Sequence, residues 1–449
     1  MMIQIFNAQT TKKIWKYLFV ATVLLMWRPV QAQVTLDSCR LWARANYPAI
    51  EQYDLLRQSA EYSVSNAARS WIPHVTLSGA VSYQSDAANM GEMWEAMGLD
   101  AMLAATGREM TEMYMRKLQG KVQVDVQQTL WDGGHSAAER ELALASQREE
   151  EAQTDVDFYQ LDNRVMQLYF GILLLDEQGR QLASTDSVLR SNLERVRTML
   201  ANEASLQSDV DAVEVELLVL GQKRLQLASS RTAYRRMLSL MVGRNMAEEA
   251  FLIPAGNGVA LESVADAAAI DRPELRLMEA RSSHIEAQRT MLRTATMPQF
   301  SAFAQGWYGY PTLNMFEAMQ SGRWDLSGIV GIRMQWNISA FYTQKNRLAQ
   351  LDVVQKRTDL QREVFLYNRR LQQTQKRAEV TRLSEVLRSD DRIVQLRGSV
   401  RRAAESKYAA GTITTAELLK AIADEGTALS SATLHRIELI QAQYELNKL

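Results

Sequence analysis

The 449-residue sequence contains little cysteine, proline or histidine, and these shortages exclude several classes of protein. Cys39 is the one cysteine, so an internal disulfide is excluded. The four histidines are far apart, which predicts no metal site. A net charge of −1 gives no case for nucleic acid as a partner. There is no Ser/His/Asp arrangement with elbow glycines and no phosphate-binding loop, so we expect neither an enzyme nor a cofactor.

A long apolar run of the kind that forms a transmembrane helix is also absent. The N-terminal run over 17–27 is too short to span a bilayer, so a membrane anchor is the weaker interpretation. Lysines precede this run and Ala32 ends a small-residue segment after it, which is typical of a secretory signal peptide. We therefore expect residues 1–32 to be removed. Cys39 could carry a lipid, but no lipoprotein cleavage box precedes it, which favours a buried and inert thiol.

Proline is absent throughout the segment 134–241, where the apolar residues follow a helical period. The pattern stops at 202–205 and then resumes, which predicts a hairpin of two helices. At ~1.5 Å per residue the arms are roughly 100 and 50 Å long, which is too long for a compact soluble domain. The residues that define the face of the first arm are Leu161, Val165, Leu168, Ile172 and Leu175.

The chain contains this organisation twice. Pro48 and Pro73 have the same spacing as Pro273 and Pro298. In each copy a helical stretch lies between the prolines, and two alternating segments and a long helical tract follow. We infer an internally duplicated protein.

The predicted boundaries follow from these patterns. The first repeat covers 33–241, with a helix over 48–70, strands over 74–84 and 120–131, and the hairpin over 134–241. A linker or equatorial region covers 242–272. The second repeat covers 273–449, with a helix over 273–296, strands over 299–309 and 327–338, and a hairpin over 340–449.

The strands have the length and the apolar–polar alternation of transmembrane β-strands. Four strands cannot close a barrel, and lipid does not tolerate open edges. Two protomers would give eight strands with a filled interior, and three would give twelve with an open lumen. A channel therefore favours a trimer. The expected fold is a mixed α/β membrane protein with a trimeric 12-stranded transmembrane β-barrel and a long periplasmic α-helical coiled-coil barrel.

Several motifs, in their order and spacing, resemble the TolC family of outer-membrane efflux proteins over 36–449. They are Thr35-Leu36-Asp37-Ser38-Cys39, Asn46-Tyr47-Pro48, Ile72-Pro73, Leu130-Trp131-Asp132-Gly133-Gly134, Gly243, Arg272-Pro273-Glu274-Leu275 and Gly411-Thr412-Ile413-Thr414-Thr415-Ala416-Glu417-Leu418-Leu419. The resemblance implies a homotrimer in outer-membrane lipid whose helical tunnel extends into the periplasm. It also implies two protein partners, a periplasmic adaptor (membrane fusion protein) and an inner-membrane transporter. The implied function is a passive exit duct of a tripartite efflux pump or of a type I secretion system.

The resemblance also implies a periplasmic aperture at the hairpin tips, closed at rest and opened in the manner of an iris. The candidate aperture and tip residues are Asp209, Asp211, Tyr408, Gly411, Glu417 and Lys420. Three positions depart from the family pattern: Lys420 stands where a second acid is expected, Ile413 where an arginine is common, and Glu203 where a tip glycine is expected. The acids near the tips could equally be helix caps, because carboxylates favour the first turn of a helix.

Two alternatives stay open at this point. A soluble periplasmic coiled-coil adaptor or scaffold without a pore would also contain long helices, but it would need no strands of membrane length. The methionine-rich loop over 85–116 could bind a soft metal such as Cu(I), or its side chains could fill irregular gaps. The sequence does not identify the cargo, which could be a drug, a metal or a protein.

Overall fold

The computed structural model describes residues 34–106, 114–253 and 272–449. The predicted signal peptide and the linker residues 254–271 lie outside the described residues. Met110 and Met113 of the methionine-rich loop lie outside them as well.

The first repeat begins with two helices and ends with two longer ones. Its elements are α1 (Leu36–Asn46), a 3₁₀ turn (Pro48–Glu51), α2 (Gln52–Arg69), β1 (His74–Tyr83), α3 (Met90–Ala96), α4 (Leu99–Ala104), β2 (Leu118–Trp131), α5 (His135–Ala201) and α6 (Gln207–Val242).

The second repeat has the same order with a shorter connection between its strands. Its elements are α7 (Pro273–Thr294), β3 (Gln299–Tyr310), α8 (Met315–Ser321), β4 (Asp325–Gln335), α9 (Ala340–Ala409) and α10 (Thr415–Lys448). No described helix is long and apolar enough to cross a bilayer.

Some boundaries differ from those expected. The helix predicted over 48–70 begins as a 3₁₀ turn at Pro48–Glu51 and continues as α2, and a separate helix, α1, precedes it. Strand β4 begins two residues earlier than expected and ends three residues earlier. It ends at Gln335 because the chain then turns, and the indole N–H of Trp336 donates to the Thr296 carbonyl at 3.0 Å.

The start of the long helix α5 shows how the local sequence sets its position. Gly133 and Gly134 both adopt left-handed backbone angles, which turn the chain sharply after β2. The Asp132 carboxylate then accepts the backbone N–H groups of Gly134 at 2.9 Å and Ser136 at 2.7 Å. These bonds satisfy donors that a helix start leaves free.

The chain forms two compact units, and each unit takes segments from both repeats. Among the described residues, the helical unit comprises 34–50, 155–253 and 364–449. The sheet unit comprises the described residues 51–106, 114–154 and 272–363. Within the helical unit, Cys39 is buried, and burial raises the pKa of its thiol to about 12. This environment fits the interpretation of Cys39 as an inert thiol.

The sheet unit contains one antiparallel sheet of four strands in the order β1-β2-β3-β4. Sequence neighbours therefore pair throughout, and β1 and β4 are the two edges. The β2–β3 pairing shifts register near its end, between Thr129 and Trp131. The pairing joins the two repeats in the middle of the sheet, where β2 of the first repeat meets β3 of the second.

Candidate functional site

One face of the sheet is apolar across all four strands. In the observed register Leu77 lies opposite Val124, and Ala304 lies opposite Val330. Because side chains alternate along a strand, this register places the apolar set of every strand on one side. No described residue covers this face, since Val81 is 77% and Val330 79% exposed. The other exposed large residues of this face are Val75, Leu77, Tyr83, Leu118, Val122, Val124, Tyr308, Leu326, Ile332 and Met334.

The opposite face of the sheet is polar. Gln123 and Asp125 on β2 lie opposite Trp307 and Gln305 on β3. Two cations on this face lie over aromatic rings, with Lys121 Nζ 5.6 Å from the Trp307 centroid and the Arg333 guanidinium 4.8 Å from the Phe303 centroid. A sheet with one exposed apolar face and one polar face is suited to separate lipid from water.

The sheet has two edges without a partner among the described residues. Strand β1 pairs only with β2, and β4 pairs only with β3. Each edge therefore presents a row of free backbone N–H and C=O groups. An apolar sheet of this kind needs further strands before it can enter a bilayer.

The connections between the strands carry the methionine-rich region. Met115 and Met319 are buried with Tyr310 in a small cluster, and Met90 packs against it. The Tyr310 hydroxyl lies 3.5 Å from the Met115 sulfur. These described methionines therefore fill gaps around a buried ring, as flexible thioethers do.

In the helical unit, the first hairpin turns at 202–206, between α5 and α6. The Glu203 N–H donates to the Leu200 carbonyl at 3.0 Å, and the Ala204 N–H donates to the Met199 carbonyl at 2.8 Å. This pair of bonds is a Schellman motif, which requires a left-handed residue. Glu203 takes that conformation, with φ 58°. Among the described residues it is the only non-glycine residue with a positive φ.

The second hairpin turns in the same way at 410–414, between α9 and α10. The Gly411 N–H donates to the Tyr408 carbonyl at 3.0 Å, and the Thr412 N–H donates to the Lys407 carbonyl at 3.0 Å. Gly411 is the left-handed residue here, with φ 69°. The two tips therefore share one backbone design, and Glu203 occupies the position of Gly411.

Asp209 and Glu417 occupy equivalent positions in the first turn of α6 and α10. The Glu417 carboxylate accepts the Thr414 N–H at 2.9 Å, and Thr414 Oγ1 accepts the Glu417 N–H at 3.3 Å, which completes a capping box. The Asp209 carboxylate accepts the Leu206 N–H at 3.1 Å and the Ser205 hydroxyl at 2.9 Å. Both acids are therefore helix caps, the alternative that the sequence left open. This finding leaves their aperture role a prediction.

These bonds also stabilise the charged forms of both acids. The hydroxyl of Thr415 and the Leu206 N–H hold the pKa of Asp209 below its usual range. The Thr414 N–H and hydroxyl lower the pKa of Glu417, and the Lys407 charge adds to the effect. Both carboxylates are therefore ionised at neutral pH.

The two tips are packed together within the helical unit. Tyr408 is 4% exposed, and its hydroxyl lies 3.1 Å from the Thr415 hydroxyl, which in turn stabilises Asp209 of the first tip. We call the buried residues around Tyr408 the tip cluster. Its members are Leu189, Leu193, Val196, Val210, Val213, Leu220, Tyr408, Leu418 and Ile422.

The remaining candidate residues lie at the surface. Asp211 and Lys420 are exposed, and the Asp211 carboxylate accepts the Gln207 amide at 2.8 Å. The structure thus brings Asp209 and Tyr408 together through Thr415, a residue that sequence reasoning did not assign to the site. The Thr414-x-x-Glu417 pattern was a visible sign of the capping box. No local pattern indicates the contact of Thr415 with the first tip.

Comparison with known proteins supports the fold alone. No protein-family model matches the sequence, and no curated protein matches it. Among solved structures, the chain is similar to the outer membrane protein VceC from Vibrio cholerae (TM-score 0.65, 12% identity, covering 92% of this chain and 96% of VceC). It is also similar to the CmeC outer membrane channel of Campylobacter jejuni (TM-score 0.64, 11% identity, 92% and 84% covered).

A third similar structure is the open state of the MtrE outer membrane channel of Neisseria gonorrhoeae (TM-score 0.63, 15% identity, 92% and 88% covered). The matches cover 92% of this chain and 84–96% of the others, so they include most of the helices and strands. The resemblance to TolC-family proteins noted in the sequence is thereby confirmed at the level of the fold: this chain has the fold of the outer membrane channels VceC, CmeC and MtrE.

Proposed function

We propose that this chain is the protomer of an outer-membrane exit channel. The observation that carries the proposal is the sheet, which has an exposed apolar face, a polar face and two unpaired edges. In lipid every backbone polar group needs a partner, so β1 of one protomer would pair with β4 of the next. Three protomers would form a closed 12-stranded barrel with a polar lumen.

In this proposal the helices extend the channel into the periplasm. Its tips would dock a periplasmic adaptor and an inner-membrane transporter, which supplies the energy for export. The chain itself moves solutes passively and performs no catalysis. The fold shared with outer-membrane channels supports an efflux pump, and a type I secretion system would use the same duct.

Membrane fractionation and gel mobility without heating test the assembly. We expect the protein in the outer-membrane fraction, migrating as a trimer that heat converts to a monomer. A water-soluble monomer would favour the alternative function, a periplasmic adaptor or scaffold without a pore.

A pair of matched substitutions tests the orientation of the sheet. Val330→Lys puts a charge on the apolar face and costs about 2–4 kcal/mol at the middle of a bilayer, so it should abolish the heat-sensitive trimer. Gln305→Lys puts the same charge on the polar face and should leave the trimer intact. Equal effects of the two substitutions would contradict a lipid-facing apolar side.

The aperture can be tested separately from the barrel. Asp209 and Glu417 are both caps and candidate gate residues, so removing them changes two properties at once. We expect Asp209→Ala and Glu417→Ala to raise single-channel conductance. Thr414→Ala weakens the same cap as Glu417→Ala but keeps the charge, and it should leave conductance unchanged. If Thr414→Ala raises conductance equally, then tip stability rather than charge controls the aperture.

A further inference from the structure

An arginine-rich cleft lies in the helical unit, at the end of α6 and the turn that follows it. Its volume is about 550 Å³, and four arginines contribute to its lining: Arg231, Arg235, Arg236 and Arg244. Among the described residues, none that lines the cleft is acidic. Clefts of this size accommodate small ligands, so the concentration of guanidinium groups in one concave surface needs a physical account.

Two of the four arginines have hydrogen-bond or ion-pair partners within the protein. Arg235 is buried, and its Nη1 donates to the carbonyls of Met246, Ala247 and Glu249 at 2.9–3.0 Å. The Asp176 carboxylate accepts a bond from Arg235 at 2.7 Å and pairs with Arg231 as well. One carboxylate thus balances one of two charges, and Arg235 holds the segment that forms the cleft wall.

The other two arginines have no carboxylate partner within the described parts of the chain. Arg236 is exposed, and it lies one turn of α6 beyond Thr232, which also lines the cleft. Arg244 lies over the Trp42 ring, with its guanidinium carbon 4.2 Å from the centroid. Stacking on an aromatic ring restricts a guanidinium group while leaving its N–H groups able to donate. The cleft therefore presents a pre-positioned donor beside a second free cation.

The backbone that carries Arg244 is itself fixed. Gly243 ends α6 with φ 68°, and a side chain there would collide with Asn46, whose amide donates to the last carbonyls of the helix. Cations near a helix C-terminus are favourable because of the macrodipole, which is equivalent to about half a charge. The partial negative charge of the helix C-terminus explains one cation at this place, but it does not balance the two positive charges of Arg236 and Arg244.

We propose that this cleft binds an anion of the phosphate class. Guanidinium groups bind phosphate oxygens through paired N–H bonds, which a lysine ammonium cannot reproduce. Arg236 and Arg244 are the binding residues, and Arg235 is a positioning residue that maintains the wall. The phosphate could belong to a soluble anion or to a lipid headgroup. This site is separate from the proposed channel and does not depend on it.

The test measures binding to the purified full-length protein in detergent by isothermal titration calorimetry. One arm uses inorganic pyrophosphate, and the other uses phosphatidylglycerol in mixed micelles. We expect binding in at least one arm, weakening as salt concentration rises. Pyrophosphate binding identifies a soluble source, and phosphatidylglycerol binding identifies a headgroup. Absence of binding in both arms would overturn the proposal.

Three variants make the result specific. The double variant Arg236→Gln/Arg244→Gln should bind at least about tenfold more weakly, equivalent to about 1.4 kcal/mol. The variant Arg236→Lys/Arg244→Lys keeps the charge and should still bind more weakly than the wild type. Arg362→Gln/Arg370→Gln removes two exposed arginines of α9 and should bind as the wild type does. Equal binding by the wild type and the glutamine variant would contradict the assignment, as would a loss in the α9 control.

Discussion

The two hairpin tips have the same backbone conformation but different residues at the left-handed position and at the helix N-cap. Both end their first helix in a Schellman motif, but Gly411 provides the left-handed residue in one and Glu203 in the other. Both begin their second helix with an acid at the third position, but Thr414 completes a capping box whereas Leu206 offers no side-chain acceptor. The second tip is therefore built from residues suited to it locally.

The first tip relies more on tertiary contacts. Leu206 is 70% exposed, and Asp209 caps α6 with the help of Ser205 and of Thr415 from the second tip. A left-handed residue with a side chain costs about 1–2 kcal/mol relative to the right-handed conformation. We infer that the first tip opens more readily than the second and that the tip cluster holds it in place. Hydrogen exchange at the tip amides, which reports local opening, measures this difference.

Removal of the Tyr408 side chain should have the largest effect, because it empties the centre of the tip cluster. Tyr408→Ala should cost about 3 kcal/mol or more, as other buried aromatic truncations do. Leu200, the equivalent residue of the first tip, is only half-buried, so Leu200→Ala should cost less. Tyr408→Phe removes only the bond to Thr415 and should cost about 1 kcal/mol. Similar exchange rates in Tyr408→Ala and wild-type tips would show that the cluster does not hold them.

Exchanging the left-handed residues should give effects of opposite sign. Gly411→Ala meets no steric contact but adopts an unfavourable φ, so it should destabilise the second tip by about 1 kcal/mol. Glu203→Gly should stabilise the first tip by up to about 1 kcal/mol, since glycine tolerates this conformation. Destabilisation by Glu203→Gly would mean that the Glu203 side chain makes a contribution that outweighs its backbone strain.

The helix caps should differ by a smaller amount. Thr414→Ala removes the side-chain acceptor and should destabilise the second tip by about 1 kcal/mol. Leu206→Ser introduces the missing acceptor in the first tip and should stabilise it by about 0.5–1 kcal/mol. Thermal unfolding and amide exchange of the two variants measure these changes. A neutral Leu206→Ser would indicate that Ser205 already satisfies the start of α6.

Acid should destabilise both tips, and this effect should be the smallest of the four because the carboxylates are largely solvated. The pKa values of Asp209 and Glu417 are both lowered in the folded protein. Their stabilisation is therefore complete at neutral pH and is lost as the pH falls below about 4 and through the folded-state pKa. Tip exchange measured from pH 6 to pH 3 and corrected for intrinsic rates should rise in the wild type. The rise should be smaller in Asp209→Asn/Glu417→Gln, and an equal rise would assign the effect to other groups.

The strands and long helices could be predicted because their signals are periodic and strong. The alternation in 74–84 and 299–309 is regular, and the structure has β1 and β3 within one residue of these bounds. The short helices were harder to anticipate. Helix α8 was missed because seven residues contain too few turns to establish a helical period. The end of β4 was missed because Trp336 continues the alternation in sequence but turns toward Thr296 in space.

The candidate site was predictable only in part. Asp209, Gly411 and Glu417 could be located because they stand at breaks in a helical pattern. The burial of Tyr408 and its link through Thr415 to Asp209 depend on the packing of two hairpins that are far apart in sequence. The placement of Arg244 over Trp42 depends in the same way on a contact between distant segments.

The sequence by itself determined the helices, the alternation of the strands and the positions of the two turns, because each depends on residues a few positions apart. The tertiary structure alone decided the register that unites the apolar residues on one face of the sheet. It also decided the burial of the tyrosine at the tips and the assembly of the arginine cleft. These features depend on which distant segments come together, and burial and hydrogen bonding of whole segments set that outcome, whereas periodicity describes only one segment at a time.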